Sequence, residues 1–206
     1  MHIISQLLQK SNSFSCDGKK VGRRIAAMGK DALWSKRSVQ AIDVVVIHYM
    51  SAVERFPDAP FSMENILSIF CEYSVSAHYL IDREGVIFQL VPDIYKAWHA
   101  GPSIMPEPDN RQGVNEFSIG IELLATDTSG FTSTQYTSLS DLCAGIERAH
   151  KKKMAYVGHD QIAGKRAVAM GLRETCKVDP GPLFDWTGFF NKLEKQRKVS
   201  DDQLLM

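Results

Sequence analysis

The chain lacks most of the features that would fix a function class at a glance. It has no charge excess, with 24 Lys plus Arg against 24 Asp plus Glu in 206 residues. A nucleic-acid binder needs a basic surplus to meet phosphates, so no nucleic-acid partner is expected. Cysteine is scarce: Cys16, Cys71, Cys143 and Cys176 form no C-x-x-C pair. That argues against a zinc ribbon, a thioredoxin-type site or a disulfide-stapled scaffold, and reduced thiols are expected. Long apolar runs are missing too. The densest, Val44 to Ile47, is far too short to span a bilayer, so no membrane segment is expected. The first fifteen residues have neither the cationic start nor the apolar core of a signal peptide, which favours a cytoplasmic location over a periplasmic or secreted one. Local ligand spacings such as H-E-x-x-H are absent.

What is present reads as one α/β domain with a central mixed β-sheet flanked by helices. Residues 1–38 are polar and weakly periodic, an N-terminal extension expected to pack on a domain of residues 39–206. Ile42 to His48 is β-branched and almost wholly apolar, the pattern of a strand covered on both faces. Ser62 resembles an N-cap, followed by Met63, Ile66, Leu67 and Phe70 at helical spacing. Ser76–Asp82 and Val86–Val91 flank Arg83-Glu84-Gly85 as a hairpin. The stretch from Pro92 to Asn115 reads as a long loop, Phe117 to Leu124 as a second buried strand, and Val157 to His159 as a last short one. Ser133 or Thr134 is expected to cap a helix reaching Lys152, and Asp185 or Thr187 to begin a final helix.

Three places could carry chemistry. His48 closes the most apolar strand, where α/β sheets place their ligands, although a satisfied buried histidine is the commoner case. His159, in Gly158-His159-Asp160, and Asp179, in a turn-forming Asp-Pro-Gly-Pro, would join it only through distant segments. Glu122 lies inside an apolar strand, so its carboxylate must be paired, hydrogen-bonded, near a metal or protonated. Alternation puts Gly120, Glu122 and Leu124 on one face, with Gly120 leaving room beside Glu122.

These residues carry a resemblance. VVVIH ending at His48, SAHYLI around His78, AWHAG around His99, NEFSIGIEL ending at Leu123, and GHDQIA followed by KVDPGPLFDW run in order over about seven-tenths of the chain. The set resembles the zinc-dependent N-acetylmuramoyl-L-alanine amidases of the type 2 family, relatives of phage T7 lysozyme and the peptidoglycan recognition proteins, and is most similar to their AmpD branch. The resemblance implies that His48, His159 and Asp179 hold Zn2+, an open three-ligand arrangement suited to catalysis. It implies that Glu122 serves as general base and acid, and that Lys177 stabilises the oxyanion. The implied substrate is a muropeptide or peptidoglycan, cut between N-acetylmuramic acid, in its ordinary or 1,6-anhydro form, and L-alanine, in cell-wall recycling or turnover by a monomer. The rival is a non-catalytic peptidoglycan-binding module, which intact Glu122 and Lys177 argue against.

Four further residues are candidates for lining the substrate site. His78 supports the site from behind its ligands or is a core histidine; Trp98 packs on a sugar ring or anchors its loop; His99 resembles a substrate-lining histidine; Arg111 pairs a substrate carboxylate or is solvated. Cys176 is a rival ligand to Asp179. The sequence departs from the family pattern in thirteen residues, Gly164 to Cys176, with a local charge of plus two from Lys165, Arg166 and Arg173 against Glu174. They are expected to form a lid or wall near the site, with a solvated surface loop as the alternative.

Overall fold

The computed structural model describes residues 2–8, 33–37 and 42–204, with side chains up to residue 198. Among the described residues eight strands form: β1 Ile3–Ser5, β2 Trp34–Lys36, β3 Val44–Met50, β4 Tyr79–Ile81, β5 Ile87–Gln89, β6 Tyr95–Ala97, β7 Ser118–Leu124 and β8 Ala155–Gly158. The helices are α1 Met63–Tyr73, α2 Ser133–His150, the short α3 His159–Ile162 and α4 Lys165–Ala169, and α5 Trp186–Leu204. A six-stranded sheet runs β1-β5-β4-β7-β3-β8, and β2 and β6 make a separate antiparallel pair. Only β4–β5, the expected hairpin, is antiparallel in the large sheet, so the mixed α/β architecture is as the sequence implies.

The β-branched run of β3 explains its central place. Val45 and Ile47 face one way, with Ile119, Ile121 and Leu123 of β7, and are covered by Leu139, Leu142, Cys143 and Ile146 of α2 and by Phe189 and Leu193 of α5. The opposite face is divided between two apolar clusters. One gathers Leu80, Leu90 and Leu124 under Ile66, Leu67 and Phe70 of α1. The other gathers Val44 and Val46 with Ala100, Met105, Val114 and Ile162. His48, Ser118, Gly120 and Glu122 occupy the same face and belong to neither cluster.

Several local expectations shift. The cap of α2 is Thr132, one residue before the expected Ser133, because Thr132 and Gln135 close a reciprocal capping box. Ser62 has the extended backbone of an N-cap but no side-chain cap bond. The stretch from Pro92 to Asn115 is not loop throughout: it includes β6, and a 3-10 turn at Val114–Glu116 begins within it. Residues 2–8 and 33–37 are built into the sheets, β1 pairing parallel with β5 and β2 antiparallel with β6, while Leu8 and Leu33 are buried. Among the described residues no helix is long and apolar enough to cross a membrane.

One ion pair ties α5 to α2 and to the start of β8. Buried Glu147 accepts from Arg197 Nε at 2.7 Å, from the Met154 N–H at 3.0 Å and from the Tyr156 hydroxyl at 3.0 Å. Burial alone would push its carboxyl up, but Arg197, Met154 and Tyr156 outweigh burial and hold it below its usual range. Replacing Arg197 by leucine strands that carboxylate. The expected cost is about 3 kcal/mol, the low end for a broken buried pair, because the Arg197 edge meets water. Urea denaturation at pH 7 measures it. A depressed carboxylate contributes stability above its unfolded pKa and loses it as pH falls through its folded one, so the gap to wild type should close in acid.

Candidate metal centre

The centre sits at the carboxyl ends of the parallel strands, where β3 and β8 release their chains. In β3–β7 pairing His48 is directly opposite Glu122, and in β3–β8 pairing Ile47 is opposite Gly158. His159 therefore emerges one residue past the strand end, beside His48. Gly158 is required there: a Cβ at this position would stand 2.7 Å from Pro180 Cδ and 2.3 Å from Asp160 Oδ1. The close approach seats the Asp179 turn against β8, and the Asp160 N–H donates to the Asp179 carbonyl at 2.7 Å.

His48 Nδ1 lies 3.0 Å, and His159 Nδ1 3.1 Å, from Asp179 Oδ2. The three donor atoms fall within 4.8 Å of one another. Both imidazoles are buried, and the Asp179 side chain is 15% exposed. Burial, reinforced by His159, pulls His48 down to about 4, against the opposing pull of Asp179. Burial would raise the Asp179 carboxyl, but the two histidines outweigh it and hold it well below the usual carboxylate range. Two imidazole nitrogens and one carboxylate oxygen, converging from three segments, fit a divalent cation of zinc's preference.

Glu122 flanks this cluster. Its Oε2 is buried and has no hydrogen-bond partner among the described residues. Burial and the nearby Asp179 raise its carboxyl well above the usual range, while Lys177 acts the other way. Lys177 itself is exposed, and its charge reaches both Glu122 and His48. The space beside Glu122 expected from Gly120 is filled. The His99 ring lies on Gly120, with its Cγ 2.4 Å from where a Cβ would be.

The remaining candidates separate. His99 is brought to the centre, its Nδ1 3.0 Å from His48 Nε2. His78 is buried behind His99 with ring centroids 5.6 Å apart, and its Nδ1 accepts the Gly120 N–H at 2.9 Å. Burial and the Arg37 charge pull His78 down to about 3. Trp98 is half-buried, with Lys96 Nζ 4.5 Å above its ring. Arg111 is not brought to the centre. Its guanidinium bonds Asp43 and Asp109 and lies 4.0 Å over Phe117. Asp43 precedes the amino end of β3, about 16 Å of strand from His48. Cys176 is an exposed free thiol outside the donor cluster.

The thirteen-residue departure from the family pattern is an excursion with its ends tied, since the Lys177 N–H donates to the Ala163 carbonyl at 3.0 Å. A closed base lets extra residues enter at low entropic cost without moving Asp179 from His159. Within the excursion Arg166 bonds the Met105 carbonyl at 2.7 Å and the Asn110 side chain, fastening it to the 103–113 loop.

One residue near the site has no sequence signal. Arg37 donates to the carbonyls of Asp93 (3.0 Å), Asn115 (2.9 Å), Glu116 (2.8 Å) and Ser118 (2.7 Å), and so buckles the loop that carries His99. Burial lowers its guanidinium to about 10 against the pull of Asp93 and Glu116.

Comparison with known proteins adds an independent line. A family model described as N-acetylmuramoyl-L-alanine amidase matches residues 38–182. The chain is 44% identical over 116 residues to the 1,6-anhydro-N-acetylmuramyl-L-alanine amidase AmpD of Citrobacter freundii, covering 56% of this chain and 55% of that protein. It is 36% identical over 169 residues to the protein of the same description from Haemophilus influenzae, covering 75% and 84%. The match thus spans only about half the length of the Citrobacter relative. Among solved structures, a selenomethionine AmpD derivative superposes with a TM-score of 0.63 at 32% identity, over 78% of this chain and 90% of that one. AmiD from Escherichia coli, solved with anhydro-N-acetylmuramic acid-L-Ala-D-γ-Glu-L-Lys, superposes with a TM-score of 0.52 at 29% identity, over 76% and 60%.

Proposed function

The chain belongs to the N-acetylmuramoyl-L-alanine amidase family, and from that premise we propose that it hydrolyses the amide joining 1,6-anhydro-N-acetylmuramic acid to L-alanine in soluble muropeptides, as a cytoplasmic recycling enzyme. The observation that carries the reading is the convergence of His48 Nδ1, His159 Nδ1 and Asp179 Oδ2 directly beside Glu122, whose Oε2 is buried. Names of relatives support the choice of the anhydro form as substrate.

In this proposal His48, His159 and Asp179 hold zinc. Zinc so held supplies Lewis-acid polarisation and brings the pKa of water down to about 7. Glu122 takes the proton of the attacking water and returns it to the departing alanine nitrogen, a task for a carboxyl screened from solvent. Lys177 contributes positive charge at the mouth, where the amide oxygen gathers negative charge as its carbon becomes tetrahedral. All five groups come from one chain, which supports action as a monomer.

The test is a paired assay on 1,6-anhydro-muropeptide and on polymeric wall, before and after zinc is stripped and restored, with products read by mass spectrometry. Zinc-dependent release of stem peptide from the soluble substrate is the expected result. Absence of release from either substrate by zinc-loaded protein overturns the proposal, and release from polymer alone overturns the recycling role.

A further inference from the structure

Building on the zinc reading above, we infer that the His99-Ala100 segment positions both histidine ligands by fixing their tautomers, and that His99 is a positioning residue for His48 and not a substrate contact.

The direction of each hydrogen bond follows from the far end of the chain of contacts. The Val114 carbonyl can only accept, and Ser118 Oγ lies 2.7 Å from it, so the hydroxyl proton goes there. Ser118 Oγ must then accept from His99 Nε2, 3.2 Å away. A neutral imidazole has one proton, so His99 Nδ1 is bare, and it faces His48 Nε2 at 3.0 Å. His48 therefore carries its proton on Nε2 and, with zinc held, presents an unprotonated Nδ1; the Asp179 carboxylate, its Oδ2 3.0 Å from Nδ1, also only accepts and competes for that proton when no cation is bound. The next residue does the same for the other ligand. His159 Nε2 is 3.2 Å from the Ala100 carbonyl, which can only accept, so a proton there leaves Nδ1 bare for zinc, against the same competition from Asp179 Oδ2 at 3.1 Å.

The surroundings hold this segment in place. Asn115 Oδ1 accepts the N–H groups of both His99 (3.2 Å) and Ala100 (2.8 Å). Gly120 alone among residue types admits the His99 ring so close to β7. His99 is 8% exposed, and both its ring nitrogens are already engaged, which leaves none for a substrate.

The experiment titrates zinc against a chromophoric chelator in wild type, His99→Leu and His99→Asn, alongside KM and kcat on the anhydro-muropeptide. Leucine fills the space but accepts nothing, whereas the asparagine Oδ1 stands where Nδ1 stood. We expect His99→Leu to bind zinc about 10- to 100-fold more weakly, His99→Asn to recover most of that loss, and KM to hold in both. Unchanged zinc affinity with a raised KM in His99→Leu would overturn the inference and make His99 a substrate contact. Nitrogen-15 NMR of the imidazoles in the zinc-loaded wild type gives a reading that needs no variant to fold. A proton on His99 Nε2 is expected, and one on Nδ1 overturns the inference. The wild-type titration separates the two claims. Failure of wild type to bind zinc overturns the proposed function together with this inference, whereas binding by wild type with no change in His99→Leu overturns this inference alone.

Discussion

Replacing Glu122 by glutamine is expected to remove about two to four orders of magnitude of amidase turnover while leaving the fold and zinc affinity unchanged. The argument starts from register. Glu122 is the cross-strand partner of His48, and neighbouring strands lie about 4.8 Å apart, so the carboxyl is held beside the metal centre by the sheet itself and not by a mobile loop. Its Oε2 is buried with no hydrogen-bond partner among the described residues. Glutamine matches its size and keeps one acceptor, but it can neither take nor return a proton. No protein hydrogen bond to Oε2 is lost, and a neutral amide is easier to bury than a charge, so the melting temperature should not fall. Measuring kcat, zinc content and Tm on the same preparation separates the roles. If turnover stayed within tenfold of wild type with full zinc content, Glu122 would not be the proton carrier. If zinc were lost, it would be acting on the metal centre instead.

The sequence made the middle of the sheet legible and left its surroundings obscure, for physical reasons. The strands β3 and β7 announce themselves because a strand covered on both faces must be a β-branched apolar run, and a single carboxylate within such a run stands out. Alternation correctly assigned Gly120 and Glu122 to one face. It could not show that His99, some twenty residues away, fills the gap, since a glycine says only that something approaches closely. Strand β6 is three residues long, too short to show a period, and its stretch read as loop. Arg37 was invisible because four of its partners are backbone carbonyls, which no residue type advertises. Arg111 shows the opposite failure. A loop arginine fits carboxylate recognition well, but Asp43 and Asp109 satisfy its guanidinium at the other end of β3. Grouping His48, His159 and Asp179 rested on family likeness, because their spacing along the chain carries no signal until the sheet places them together.

Asp179→Ala is expected to be the most damaging single change at the centre, and its effect should appear without any substrate. The carboxylate is the point both imidazoles share, at 3.0 and 3.1 Å from Oδ2. Removing it deletes one donor of three and the one negative charge among them. The loss of zinc affinity should therefore exceed the roughly 10- to 100-fold that follows changes behind the ligands. A metal that binds the native state alone stabilises it by about 2.7 kcal/mol at a free concentration 100 times its Kd. Adding zinc should accordingly raise the melting temperature of the wild type and leave that of Asp179→Ala where it was. Chelator followed by zinc should restore wild-type activity and not the variant's. Cys176→Ser is the matched comparison. Its thiol is exposed and outside the donor cluster, so it should keep the full zinc-induced shift. A shift lost in Cys176→Ser and retained in Asp179→Ala would transfer the third ligand to the cysteine, with the Lys177 to Pro180 turn rearranged to deliver it.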